Sequence, residues 1–244
     1  MNTIYRLRPS FDLTIHELKE SYLWFSRPTE YKDVEDSNIF SFIEKTESIK
    51  SSFERIYKNY KEVANLCKLV GICSFTRTLP ILNYWSKFPN GYNGIFIEYN
   101  KEVLENYFVK IYGLGDCFKP VEYLSNPTLF CSLDEHNILW EKKEDGEFYK
   151  SLRAIENDPK LLDQLFLKMF TRVNDKFSPQ NEARIILGGR NIPDMSKNIK
   201  GYKVMIPKEA IQNIYFHPQT PKSFIDELNK IKPGLGSIGI QLST

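Results

Sequence analysis

The sequence predicts one α+β domain spanning residues 1–244. Three observations predict it. Short segments that alternate apolar and polar residues recur from end to end, as strands of a half-buried sheet do. Stretches with apolar residues at helical spacing stand between them. No internal repeat, low-complexity tract or interdomain linker divides the chain. A chain of 244 residues is long for an average domain and within reach of a single α+β unit. Its 41% hydrophobic and 26% charged residues suit a globular protein with a real core. The 14% aromatic content suits both core filling and ring-stacking pockets.

TIYRLRP (3–9) alternates as an opening strand, with Tyr5 and Leu7 on one face and Arg6 and Arg8 on the other. TIHELKE (14–20) predicts a short helix, where Thr14 as N-cap and Glu17 three residues later make a capping box. SYLWFSRP (21–28) reads as a second strand and TEYKDVEDSN (29–38) as a polar loop. Phe42, Ile49, Phe53, Ile56, Tyr60 and Val63 then recur at helical spacing, which predicts a helical insertion over about residues 37–68. VGICSFTRT (70–78) is a buried strand running into a loop, LPILNYWSKF (79–88) a helical turn, and NGYNG (90–94) a turn before the strand IFIEYN (95–100).

KEVLENYF (101–108) predicts a helix and KPVEYL (119–124) a strand. From Asp134 to Val173 the pattern is mainly helical, a second insertion of about 134–175, with Leu161, Leu162, Leu165, Phe166, Met169 and Phe170 as its apolar stripe. EARIILGG (182–189), YKVMIP (202–207) and IQNIYFHP (211–218) are strands. PKSFIDELNKI (221–231) is a late helix and SIGIQL (237–242) a last short strand.

The net charge of +2, from 33 basic and 31 acidic residues, excludes a global polyanion-binding surface. Cys67, Cys73, Cys117 and Cys131 lie far apart, with no C-x-x-C and no clustered His, which argues against zinc or another bound metal. Such sparse cysteines suit a reducing, cytoplasmic compartment. No signal-peptide core opens the chain and no apolar run is long enough to span a bilayer, so no membrane role is expected.

Four places collect polar groups beside apolar strands. Arg6 and Arg8 form a fork that grips a phosphate or carboxylate, unless they are solvated arginines on an edge strand. Ser74 and Thr76 share one strand face and would orient a ligand or cap the next turn. Asp33, Glu35 and Asp36 would hold a metal or, more simply, line a solvated loop that caps the next helix. In SPQNEARIIL (178–187), Gln180, Glu182 and Arg184 project to one side if the strand has begun. The pair Glu182–Arg184 is then either a structural salt bridge or part of a catalytic ladder. The histidines add little: His16 falls on a helix, His136 in a loop, and His217 at an exposed strand end before Pro218. YGLGDC (112–117) lacks the Lys and the context of a phosphate loop.

In order and spacing these elements resemble a bacterial family of unknown function. Its members open with Tyr-Lys-Tyr-Arg, which is YRLR at Tyr5–Arg8 here. LWFSRPTEYKDVED is similar to the family's L-x-F-S-x-P-x-x-F-N-D-P, and CSFTRTLPILNYWSKFPNGYNGIFIEYN to its Cys-Phe-Ser, Trp-x-x-Tyr and G-x-x-I-E-F run. VEYL matches its Val-x-Tyr strand and FSPQNEAR its Trp-x-x-Glu-x-Glu-x-Arg. This chain departs from the pattern at Lys32-Asp33-Val34, Phe88, Phe177 and Gln180. More distantly the layout resembles ADP-ribosyltransferases of the Arg–Ser–Glu type, with their split central β-sheet and inserted helices.

That resemblance implies an enzyme that takes NAD as cofactor, breaks the nicotinamide–ribose bond and transfers ADP-ribose to a protein, a nucleic acid or water. It implies catalytic roles for Glu182 on the ribose 2′-hydroxyl and Gln180 on the acceptor, with Arg184 supporting Glu182. Arg6 or Arg8 would grip the pyrophosphate, Ser74 and Thr76 the nicotinamide ribose, and Tyr84, Trp85 or Tyr92 would stack on nicotinamide. It also implies a bacterial toxin or anti-phage defence effector. Two other classes remain open on the residues alone. One is a metal-dependent nuclease built on Asp33, Glu35 and Glu182. The other is a non-catalytic nucleotide- or protein-binding module.

Overall fold

The computed structural model describes residues 2–8, 11–30, 70–78, 95–125, 140–143, 146–149, 157–188, 200–218, 220–235 and 239–242. The expected helix within 37–68, the helical turn at 79–88 and the turn at 90–94 lie outside these residues.

The chain opens with β1 (Thr3–Arg8), α1 (Phe11–Glu20) and β2 (Tyr22–Ser26). β3 (Val70–Thr76) and β4 (Ile95–Asn100) follow, then α2 (Lys101–Tyr112). The expected strand KPVEYL divides at Val121 into β5 (Lys119–Pro120) and β6 (Glu122–Leu124), which join different sheets. Next come β7 (Trp140–Lys143), β8 (Gly146–Tyr149), α3 (Pro159–Phe170) and β9 (Arg172–Asn174). β10 (Glu182–Gly188), β11 (Gly201–Met205), β12 (Ile211–Phe216), α4 (Lys222–Leu235) and β13 (Gly239–Leu242) complete the described elements.

The architecture is mixed α+β, dominated by an antiparallel sheet of nine strands. β3 is its hub. One edge of β3 pairs with β10 along the whole strand, from Thr76↔Glu182 to Val70↔Gly188. The other edge takes β2 at Ile72↔Ser26 and β1 at Thr76↔Tyr5, so the sheet forks there. β11 extends the β2 branch. β4, β12 and β13 extend the β1 branch in that order, and among the described residues only β12–β13 in this sheet is parallel.

One face of this sheet carries Ile4, Cys73, Phe75, Ile97, Tyr99 and Ile185, which are buried together with Leu18 of α1, Leu104 and Phe108 of α2, and Leu228 of α4. Alternation along each strand makes this the core face. β4 is buried at five of its six positions because it has a strand on each side and cover on both faces. α2 is fixed at both ends. The Asn100 side chain accepts from the Val103 N–H at 3.2 Å, and Gly113 closes the helix at φ 68° with its N–H on the Val109 carbonyl.

Two sequence expectations change here. Within 134–173 the described residues are not all helical, because β7 and β8 form an antiparallel hairpin and β9 is a strand parallel to β6. Trp140, Phe148 and Tyr149 stand in WEKK and GEFY, and aromatic residues favour strands. In the same span α3 is helical, with Pro159 at the start where its missing N–H costs nothing. α1 begins at Phe11, three residues before the expected cap, so Thr14 lies inside the helix and is fully buried. Thr14, Glu17 and Leu18 form an i, i+3, i+4 stripe against the sheet, while His16, Lys19 and Glu20 are exposed. Glu17 therefore caps nothing.

Candidate functional site

The inward stripe of α1 meets the arginines of β1. Glu17 has no exposed surface, and its carboxylate lies 2.6 Å from Arg6 Nη1 and 2.8 Å from Arg8 Nε. The Tyr99 hydroxyl donates to the same carboxylate at 3.1 Å. Arg6 also donates through Nη2 to the Trp24 carbonyl at 2.8 Å, which ties β1 to β2 across the fork. β1 is an interior strand and both arginines are sequestered, so they are not solvated side chains on an edge. Burial and the neighbouring Arg6 both lower the Arg8 guanidinium, and Glu17 opposes them. Burial and Glu17 hold the Tyr99 phenol well above its usual range.

Ser74, Thr76, Glu182 and Arg184 share the opposite face. Thr76 stands opposite Glu182, and Ser74 opposite Arg184, two positions further along the β3–β10 ladder. Thr76 also stands opposite Tyr5, and Tyr5 opposite Glu98. Residues opposite one another in an antiparallel pair share a face, so Arg6, next to Tyr5, starts from the other side of the sheet.

Glu182 is 6% exposed and Arg184 is fully buried. Their ion pair is bidentate: Arg184 Nε lies 2.8 Å from Oε1, and Nη2 lies 3.1 Å from Oε2. Arg184 also donates through Nη1 to the Phe170 carbonyl at the end of α3, at 2.9 Å. The Glu182 N–H donates to the Tyr123 hydroxyl at 2.8 Å. Backbone and side chain of Glu182 are thus both fixed.

Gln180 does not stand on the strand with Glu182. It ends a 3-10 helix, Asp175–Gln180, and Asn181 then adopts a left-handed conformation at φ 44° before β10 begins. Asn tolerates that region better than most residues. Gln180 and Glu182 are brought near each other by this turn and not by strand alternation, so the expected shared side does not arise.

The fork leaves the backbone of β3 at Ser74 between the two branches. The Glu182 carbonyl accepts from the Val121 N–H, so the even positions of β10 direct their backbone groups away from β3 and the odd positions toward it. On β3, Ile72, Ser74 and Thr76 then direct theirs to the other edge, where β2 takes Ile72 and β1 takes Thr76. Ser74 lies between the two branches, and its hydroxyl is buried with no hydrogen-bond partner. Thr76 donates its hydroxyl to the Thr78 carbonyl at 3.0 Å. A buried polar group without a partner is uncommon and calls for a ligand or a water.

A second buried carboxylate on this face escaped the sequence reading. Glu98 is 7% exposed and accepts from the Tyr215 hydroxyl at 2.6 Å and from Asn213 Nδ2 at 3.0 Å. Burial, and then this bond to Glu98, push the Tyr215 phenol up. Glu17 was missed too, because Thr14-x-x-Glu17 imitates a capping box. The available signal was a carboxylate on the apolar stripe of Ile15 and Leu18, close in sequence to two same-face arginines.

Cys73 is a buried free thiol that burial pushes up to about 12, so it stays protonated and is no nucleophile at neutral pH. His217 is buried and not an exposed strand end, and burial lowers its imidazole. Among the described residues, no group of three His, Cys, Asp or Glu side chains could hold a metal ion, and no helix is long and apolar enough to cross a membrane. Tyr84, Trp85, Tyr92, Asp33, Glu35, Asp36, His136, Cys67 and Cys131 lie outside the described residues. No family model, curated protein or solved structure matches this chain.

Proposed function

We propose that this protein is an NAD-dependent enzyme of the ADP-ribosyltransferase type, working in the cytoplasm on a protein or nucleic-acid acceptor or on water. What supports the reading is the Glu182 carboxylate fixed opposite Thr76, two residues along β3 from Ser74, whose buried hydroxyl has no partner among the described residues. In this reading the C1′–N bond of the nicotinamide ribose breaks, and its electron pair leaves with nicotinamide. Glu182 accepts a hydrogen bond from the ribose 2′-hydroxyl and stabilises the oxocarbenium-like state. A carboxylate has about four lone-pair sites, so one bidentate arginine does not exhaust Glu182. Ser74 fills its missing bond on the ribose. Gln180 orients the acceptor, whose oxygen or nitrogen attacks C1′ and releases its proton to solvent.

Arg6 and Arg8 hold no pyrophosphate in this scheme. They fix α1 and the two branches of the fork through Glu17. The biological setting carried by the family resemblance, a toxin or anti-phage effector, fits an enzyme that consumes NAD.

Nicotinamide release by the purified protein tests the reading. Glu182→Gln should lower the rate about a hundred- to a thousandfold, roughly 2.7–4 kcal/mol of barrier. Full turnover by that variant would sink the proposal. A second reading is a non-catalytic binding module, favoured by the closed pairing of Glu182 with Arg184 and of both β1 arginines with Glu17. A thermal shift with NAD or ADP-ribose but no nicotinamide release would select it, since a ligand at about 100 times its Kd stabilises by about 2.7 kcal/mol.

A further inference from the structure

β5 covers only part of the outer edge of β10. It pairs with Ala183 and Arg184 and goes no further. Beyond Lys119 the chain is carried away by the turn Gly115–Cys117, where Asp116 adopts a left-handed φ of 47°. The even positions of β10 direct their N–H and C=O groups to this edge, as the Glu182 carbonyl on Val121 shows. Arg184 stands opposite Lys119, but Ile186 and Gly188 have no strand partner on that side among the described residues.

A cavity of about 300 Å³ occupies the place where β5 would have continued. Its walls include Leu114, Cys117, Phe166 and Leu167, and its floor is Ile186 and Gly188. A volume of that order is at the small end of ligand pockets, and apolar walls with a few polar groups are their usual lining. Gly188 is required here, since a Cβ would meet the Phe166 ring at 2.9 Å. Gly115, also on the wall, has nothing within 4 Å of an added Cβ. The polar groups at the rim are Lys119, Asp163 and Gln164.

A strand residue that offers N–H and C=O side by side recognises a partner with an adjacent acceptor and donor. Apolar walls on both sides of that edge select a flat ring over a solvated chain. Adenine has this combination: a ring nitrogen that accepts beside an amino group that donates. We infer that the open edge of β10 at Ile186 is a binding site for the adenine ring of a nucleotide, held between Leu114 and Phe166.

The inference deepens the reading above and rests on it only for the identity of the nucleotide as NAD. Four residues separate Ile186 from Glu182 on one strand face, a span of about 14 Å at the usual rise. A ring at Ile186 is therefore too far to be the nicotinamide leaving group at Glu182, and the far end of an extended dinucleotide reaches it. Lys119 stands opposite Arg184, between the two, and is paired with the exposed Asp116 at 3.2 Å.

Calorimetric titration of the full chain with AMP tests the site without any turnover. Wild type should bind AMP. Gly115→Phe should weaken it at least tenfold while the unfolding temperature stays within error, because the new side chain enters open space. Leu167→Trp, on another wall, should act in the same direction if Gly115→Phe does not fold. Undetectable AMP binding, or equal binding by folded Gly115→Phe and Leu167→Trp, overturns the site. Binding of an extended peptide in competition with AMP would support the open edge, whereas peptide binding without AMP binding overturns adenine as its occupant. Loss of the NAD reading shows up separately, as AMP binding with no nicotinamide release.

Discussion

Glu17→Gln isolates what holds the fork of the sheet. The substitution keeps the volume of the side chain and one carbonyl acceptor, so the change is the loss of charge. Glu17 is fully buried between Arg6 at 2.6 Å and Arg8 at 2.8 Å. Removing one partner of a buried pair typically costs about 3–5 kcal/mol, because the remaining charge has no compensation. Two guanidiniums would be left here in place of one, which puts the expected loss at the upper part of that range. For a chain of this size each kcal/mol moves the midpoint by about 2–4 °C, so the thermal midpoint should fall by roughly 8–20 °C. Circular dichroism during heating, with urea unfolding at fixed temperature, measures this. Glu20→Gln is the control: its pair with Lys203 is exposed on both sides and should change the midpoint within error. A midpoint for Glu17→Gln within about 2 °C of wild type would refute the reasoning. A large loss that Arg6→Met, Arg8→Met and Glu17→Leu together restore would confirm that uncompensated charge was the cause.

Arg184→Met should destabilise the fold and lower any Glu182-dependent activity together, since Arg184 bonds both Glu182 and the Phe170 carbonyl; loss of activity with an unchanged midpoint would contradict its structural part. His217 is buried and its folded-state imidazole lies below the usual value. The unfolded chain then binds the extra proton first, so stability is intact above about pH 6.5 and falls as pH drops below it. Urea midpoints between pH 8 and 5 should show that slope in wild type and less of it in His217→Phe; equal slopes would exclude His217 as the source. Burial pushes Cys73 up to about 12, so at pH 8 a thiol reagent should modify it only after unfolding. Peptide mapping that found Cys73 modified at a rate close to that of a free thiol in the folded protein would overturn its burial.

Most strands were legible because their period is local. IFIEYN and EARIILG declare themselves by composition and alternation, and the structure has them at Ile95–Asn100 and Glu182–Gly188. The face assignment of β1, with Arg6 and Arg8 opposite Tyr5, was legible for the same reason. Within 134–173 the helical reading did not foresee β7 and β8, two short segments whose hairpin draws its stability from pairing and not from period. The capping box at Thr14 failed because a cap and a buried stripe use the same spacing, and only the sheet under α1 separates them.

The sequence by itself determined the class of the fold and the alternation of each strand, and it left the pairing of Glu182 with Arg184 as one of two readings. Register between strands distant in sequence decided the rest. It put Thr76 and Ser74 opposite Glu182 and Arg184, left Ser74 at the fork, and sent Arg6 and Arg8 to the far face, where Glu17 meets them. A local pattern fixes which residues alternate, but not which strand lies next or how far along it the pairing starts. Those follow from burying one continuous core face, a condition that only the folded chain satisfies.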